Sequence, residues 1–334
     1  MKLYKALTFL LSFIPLTLSA QNADKRINEL LGSGDWFALN REYSEIKDSV
    51  QSDALKSMTE TMLAAYFNRP EELGGNLTSL IDNHSEEIGL QNVCNMLMLG
   101  AIAEGSNGRY ALAADMIKSV KMPFSIKDIP ASEAASEEMK QRMTGKSNVI
   151  WLPVTINGKK YEFILDTLVR TDAILGMDFL KLAGNIRIDF KRNTVTFGRV
   201  DHKSNGCIPN LYIEPNNTLC LSASINSEPQ VLKLDTGCTM TDLSYIWYCA
   251  HKDSTSDLEE SNVLLGTYGS TEKKGLLSMP GVPFELGGKE AIVHNALIHT
   301  APDGNQNSGT VGLELLRKFN KVNINLRDMS LTVE

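Results

Sequence analysis

At 334 residues the chain has room for roughly two domains of about 150 residues each, which excludes a small module held together by disulfides or a metal. Apolar residues make up 43 % and charged ones 22 %, with 24 Gly and 11 Pro, so collagenous, coiled-coil and disordered classes are excluded as well. Lys and Arg number 33 against 40 Asp and Glu, a net charge of −7, and no basic run interleaved with aromatics offers phosphates a footprint, so nucleic acid is not an expected partner.

Lys2 and Lys5 precede a largely apolar run from Ala6 to Leu18, and Ser19-Ala20 stands before the polar Gln21-Asn22. A charged start, a short apolar stretch and small residues form the pattern of a secretory signal. The run is too short for a spanning helix, which needs about 20 residues. Residues 1–20 are therefore expected to be a signal peptide and the protein to be exported, periplasmic or secreted, without a stable membrane span after cleavage. Cys94, Cys207, Cys220, Cys238 and Cys249 form no CxxC pair and no zinc set with histidine, and predict at most two disulfides.

Residues 21–121 carry a helical period, with segments near 25–31, 35–47, 53–67, 70–82, 86–104 and 109–119. Asp35 and Ser52 stand where N-caps belong, and Pro70 followed by Glu71 and Glu72 suits a first helical turn. The stretch Gly105-Ser106-Asn107-Gly108-Arg109-Tyr110 resembles the turn of a helical hairpin of the tetratricopeptide kind. Residues 122–148 contain Met-Pro-Phe, Ile-Pro-Ala and a Ser/Glu/Lys-rich run, and read as a linker with one solvated helix. From Val149 onward the texture changes to short β-branched runs: Val149 to Ile156, Tyr161 to Leu165, Ile186 to Phe190, Thr194 to Phe197 and similar runs to the C-terminus.

Two ungapped internal matches run through this β half. Leu152–Thr167 (LPVTINGKKYEFILDT) matches Leu221–Thr236 (LSASINSEPQVLKLDT), and Ala173–Phe197 matches the segment from Thr310 onward, placing Gly176 on Gly312 and Asp178 on Glu314. Each copy predicts strand, turn, strand, Asp-Thr, then two apolar residues with Gly, a short helix and a closing hairpin. In the second copy Asp235-Thr236-Gly237 is followed by Gly312 after seventy-seven residues. The first copy reads Asp166-Thr167-Leu168, and Gly176 follows Asp166 by only ten residues, so about 67 residues of that lobe are absent.

These motifs resemble the retropepsin-like and pepsin-like aspartic peptidases, in which each of two related lobes supplies one Asp-Thr/Ser-Gly turn and one hydrophobic–hydrophobic–Gly segment. The resemblance covers residues 149–334. It implies an α+β chain: an all-α, helical-hairpin-like domain over 21–121, the linker over 122–148, a truncated first lobe over 149–200 and a complete second lobe over 201–334, the lobes forming a duplicated, mostly β, closed-barrel unit of the acid-protease type. The implied activity is that of an aspartic endopeptidase. Two neighbouring carboxylates cannot both ionise, so they share a proton, one activating water while the other protonates the scissile carbonyl.

On this reading Asp235 and Asp166 are the catalytic pair, with Thr236, Gly237 and Thr167 as the supporting turns. Tyr268 and Gly269, in Leu264-Leu265-Gly266-Thr267-Tyr268-Gly269-Ser270, are the candidate flap tip; a plain surface hairpin is the alternative. The expected partner is a peptide or protein substrate bound as an extended strand. No cofactor and no metal are expected, His294 and His299 being five apart and unsuited to one site. Cys238 lacks a placed histidine and reads as a small buried residue. Two alternatives stand beside the enzyme: a catalytically impaired, peptide- or protein-binding pseudoprotease with a helical scaffold, because Leu168 adds an isobutyl group where the second copy has Gly237, and a homodimer that brings Asp235 of each chain together.

Overall fold

The computed structural model describes residues 22–108, 121–128, 148–156, 158–165, 174–198, 208–267 and 270–334. Residues 1–20, the expected signal peptide, lie outside them. The chain is α+β, a helical region followed by a β-rich one, and it divides into two compact units, Met1–Gly105 and Ser106–Glu334.

In the first unit α1 (Asn22–Ser33) buries Ile27, Leu30 and Leu31, one face at helical spacing. Asp35 caps α2 (Trp36–Ile46) by accepting from the Ala38 amide at 3.0 Å, and Ser52 caps α3 (Asp53–Tyr66) by accepting from the Leu55 amide at 3.1 Å. Each cap satisfies a donor that the helix itself cannot, worth about 1 kcal/mol. α3 is the central helix of this unit: Leu55, Met58, Met62 and Leu63 are buried, and the Thr59 hydroxyl, also buried, donates back to the Leu55 carbonyl. The Asp24 carboxylate accepts from the amides of Gln51 and Ser52, tying α1 to the start of α3. Trp36 stacks on Tyr66 with ring centroids 4.0 Å apart.

The two helices expected over 70–82 and 86–104 run as one element, α4 (Pro70–Gly108), broken at Gly89 with φ 79° and ψ 156°, a backbone region essentially confined to glycine. The turn expected at Ser106-Asn107-Gly108 does not form, since these residues continue α4 to its end; the rest of the expected hairpin, from Arg109, falls outside the described residues.

The second unit contains β1 (Lys121–Pro123), β2 (Ser125–Asp128), β3 (Asn148–Ile156), β4 (Lys159–Leu165), β5 (Ile174–Leu175), β6 (Asn185–Asp189) and β7 (Thr194–Phe197). After these come β8 (Leu211–Ile213), β9 (Leu219–Ile225), β10 (Glu228–Leu234), β11 (Asp242–Leu243), β12 (Glu260–Thr267), β13 (Ser270–Leu286), β14 (Lys289–Ile298), β15 (Gly309–Val311), β16 (Lys321–Asn325) and β17 (Ser330–Val333). They form a four-stranded sheet β2-β3-β4-β5, a five-stranded sheet β1-β7-β6-β16-β17 and an eight-stranded sheet β12-β13-β14-β11-β15-β10-β9-β8. In the last, β13 also pairs with β9, Phe284 opposite Ile225, which closes β9, β10, β15, β11, β14 and β13 into a six-stranded barrel. Leu232, Phe284, Val293 and Ile298 on those strands are fully buried.

The linker reading of residues 122–148 is corrected at its start. Residues 121–128 are strands: β1 pairs with β7, Lys121 opposite Thr196, and β2 pairs with β3, Ser125 opposite Trp151. Both lie at sheet edges, where a proline such as Pro123 withholds no ladder donor that a neighbour needs. β2 stands beside β3 as β8 stands beside β9.

Positions equated by the sequence matches occupy equivalent registers. Leu152 faces Phe163 in the β3–β4 hairpin as Leu221 faces Leu232 in β9–β10. Leu165 pairs in parallel with Leu175 as Leu234 does with Val311, and Ile186 faces Phe197 as Val322 faces Val333. Gly176 and Gly312 each precede a short helix, Met177–Ala183 and Leu313–Leu316, with closely similar backbone angles (φ −89°, ψ −173° and φ −101°, ψ −176°). β6 and β16 run antiparallel with Arg187 opposite Asn323, the residue that the second match equates with it. The pairing is thus symmetric in register about those two residues.

Candidate active site

β10 ends at Leu234, and the next residue, Asp235, is buried. Its amide donates to the Val311 carbonyl at 3.0 Å, which pins the turn to β15. Its Oδ1 accepts from the amides of Gly237 and Cys238, both at 3.0 Å, so the carboxylate is held by its own turn. The Cys238 and Thr239 carbonyls accept from Leu313 and Glu314 at 2.8 and 2.9 Å, and the Gly312 amide donates to Thr241 Oγ1 at 3.2 Å. A Cβ on Gly312 would run into the Met240 carbonyl, so this close approach requires glycine. The Asp-Thr-Gly turn and the Val311-Gly312-Leu313 segment, seventy-seven residues apart in sequence, are in this way one braced unit.

Thr236 is fully buried, and its hydroxyl donates to the Leu165 carbonyl at 3.2 Å. Leu165 closes β4 and directly precedes Asp166. The structure therefore brings the end of the first copy's hairpin onto the turn of the second. Asp166 and Thr167 lie outside the described residues, as do Tyr268 and Gly269. The strands flanking the latter pair are described: β12 and β13 form an antiparallel hairpin with Thr267 opposite Ser270.

A cleft of about 800 Å³ is lined by Thr239 and Met240, a few residues past Asp235, by Val263 from β12, Leu297 from β14 and Glu314; Asp235, Thr236 and Gly237 are not among its lining residues. Burial pushes the Glu314 carboxyl above the ordinary glutamate range, although its Oε2 accepts from the Thr241 amide. Burial pushes the Cys238 thiol far up, and the nearby Asp235 and Asp242 carboxylates push it further, so it is held as the neutral thiol, donating to the Met240 carbonyl.

Sequence reasoning passed over two neighbours of the site. Lys233 Nζ lies 3.8 Å from Asp235 Oδ2; the available signal was a lysine two residues before the aspartate on one strand. Glu214, whose carboxyl burial also raises, shares Asn307 Nδ2 with buried Cys220, and that cluster has no sequence signal because its members lie far apart in the chain. Cys220, Cys238 and Cys249 are free thiols. His299 is buried, 3.5 Å from Asp242 and 4.0 Å from Asp303, whereas His294 is exposed. Among the described residues no three His, Cys, Asp or Glu side chains are grouped to hold a metal, and no helix is long and apolar enough to cross a membrane.

No protein-family model matches the chain, and no curated protein matches it either.

Proposed function

We propose that the protein is an exported aspartic endopeptidase of the retropepsin-like type, with Asp235 and Asp166 as its catalytic pair and a duplicated lobe as its framework. The observation that carries this reading is the hydrogen bond from Thr236 to the Leu165 carbonyl, which ties the turn that carries Asp235 to the strand end directly preceding Asp166 within one chain. The matching registers of the two copies and the pairing of Arg187 with Asn323 support descent from a single repeated lobe.

Hydrolysis then runs without a covalent intermediate. One carboxylate takes a proton from water as the water oxygen bonds to the peptide carbonyl carbon, and the other carboxyl gives its proton to the carbonyl oxygen. Collapse of the tetrahedral diol breaks the C–N bond and delivers a proton to the leaving amine. The substrate lies as an extended strand in the cleft between the Asp235 turn and the β12–β13 hairpin, whose tip at Tyr268 and Gly269 serves as a flap. Because the Thr236–Leu165 bond is internal, the pairing of Asp235 with Asp166 is preferred to a homodimer that pairs two copies of Asp235.

A second reading rests on Leu168 and on the ten-residue interval from Asp166 to Gly176: a pseudoprotease that binds peptides without cleaving them. A peptide-like inhibitor with a hydroxyl at the position of the attacked carbonyl separates the two, since that hydroxyl replaces the water between the carboxylates. Titration calorimetry should give micromolar or tighter binding, at least tenfold tighter than the matched peptide without the hydroxyl. Equal binding of the two ligands to the folded protein favours the pseudoprotease.

A further inference from the structure

Lys233 and Asp235 stand two apart at the end of β10, so their side chains leave the strand on the same side. The turn's amides engage Asp235 Oδ1, and the lysine ammonium group stands at Oδ2, 3.8 Å away, with the two side chains 27 % and 12 % exposed. At that depth the attraction is only partly screened by solvent. Under the first sequence match, the position equivalent to Lys233 is Ile164. A cation is thus fixed beside one aspartate, and the corresponding strand of the other copy carries an aliphatic side chain.

The other described groups around Asp235 do not offset the lysine. Cys238, in the turn, stays a neutral thiol. Glu214, which also lies within the field of Lys233, is biased by burial toward its neutral form, as is the buried thiol of Cys220 beside it. Asp242, on β11, accepts from the Thr310 amide and faces His299.

We propose that Lys233 is a positioning residue acting through Asp235: its ammonium group holds the Asp235 carboxylate ionised, the state in which it can take a proton from water. This rests on the aspartic peptidase reading for its consequence, but not for its test. A neighbouring cation favours the ionised form of a carboxyl. The cation also favours each more ionised state of the pair, so both limbs of the activity–pH profile lie lower than they would without it.

Carbon-13 NMR of the Asp235 carboxyl, assigned by difference from Asp235→Asn, follows the ionisation directly in the wild-type protein and in K233Q, K233M and K233R. The neutral variants should raise the Asp235 midpoint by about one pH unit and move both limbs of any peptidase profile with it, whereas K233R should stay near the wild type. An unmoved midpoint in a folded neutral variant overturns the proposal even if the protein is an active peptidase. A shifted midpoint without any peptidase activity upholds the electrostatic link and counts against the enzymatic reading instead. Should both neutral variants fail to fold, the salt dependence of the wild type decides: an Asp235 midpoint that rises as sodium chloride is taken from about 0.02 to about 1 M supports the proposal, and one that stays put or falls overturns it.

Discussion

The hydroxyl of Thr236 donates to the carbonyl of Leu165, seventy-one residues earlier in the chain, and both residues are buried. This bond joins the strand end that precedes Asp166 to the turn that carries Asp235. Replacing Thr236 with valine keeps the shape and removes the donor, which leaves a buried carbonyl without this partner. The expected cost is about 2 kcal/mol in urea unfolding, with most of it recovered in Thr236→Ser. Equal stabilities of the valine and serine variants would show that the hydroxyl contributes nothing.

Gly312 tests the brace behind the same turn. A methyl group there meets the carbonyls of Met240 and Cys238, which are backbone and cannot swing aside. Gly312→Ala should therefore cost about 3 kcal/mol and weaken ligand binding at the Asp235 turn. A variant with wild-type stability and wild-type ligand affinity would mean that the close approach is relaxed in solution.

Glu214 gives the protein a pH dependence of definite sign. Burial raises its carboxyl, outweighing the hydrogen bonds from Asn307, Cys220 and Asn216 and the pull of Lys233. The folded state therefore holds the proton more tightly than the unfolded chain does. The resulting stability is fully present below the ordinary glutamate value and is lost as pH rises through the raised folded value. Glu214→Gln stays neutral throughout, so calorimetry should find it melting higher than the wild type at about pH 7 and at nearly the same temperature at about pH 3. A gap of the same size at both pH values would refute the assignment.

Much of this architecture was legible because local chemistry and tertiary packing agree. Asp35 and Ser52 cap where a short polar residue precedes an apolar period, and Asp235-Thr236-Gly237 was found because a whole hairpin repeats ahead of it. Three features were misplaced, one of them the turn expected at Ser106-Asn107-Gly108, which is helical. The break in α4 sits at Gly89 rather than between residues 82 and 86, since the polar residues there are tolerated on a solvated helix face. β1 and β2 were read as a linker because strands of three and four residues carry too little period, and they exist only through their partners β7 and β3. The depth at which Glu214 and Glu314 sit, and the approach of Lys233 to Asp235, depend on how distant strands pack, which spacing along the chain does not encode.

Asp235 is proposed to be half of a proton-sharing pair that activates water. The most direct test is cleavage of a mixed peptide library by the purified protein between about pH 3 and pH 8, beside Asp235→Asn at matched concentration and with folding checked by circular dichroism. The wild type should cleave peptide bonds in the acid range, and the folded asparagine variant should lose this activity by a factor of about 100 or more. Equal turnover by the two proteins would contradict it.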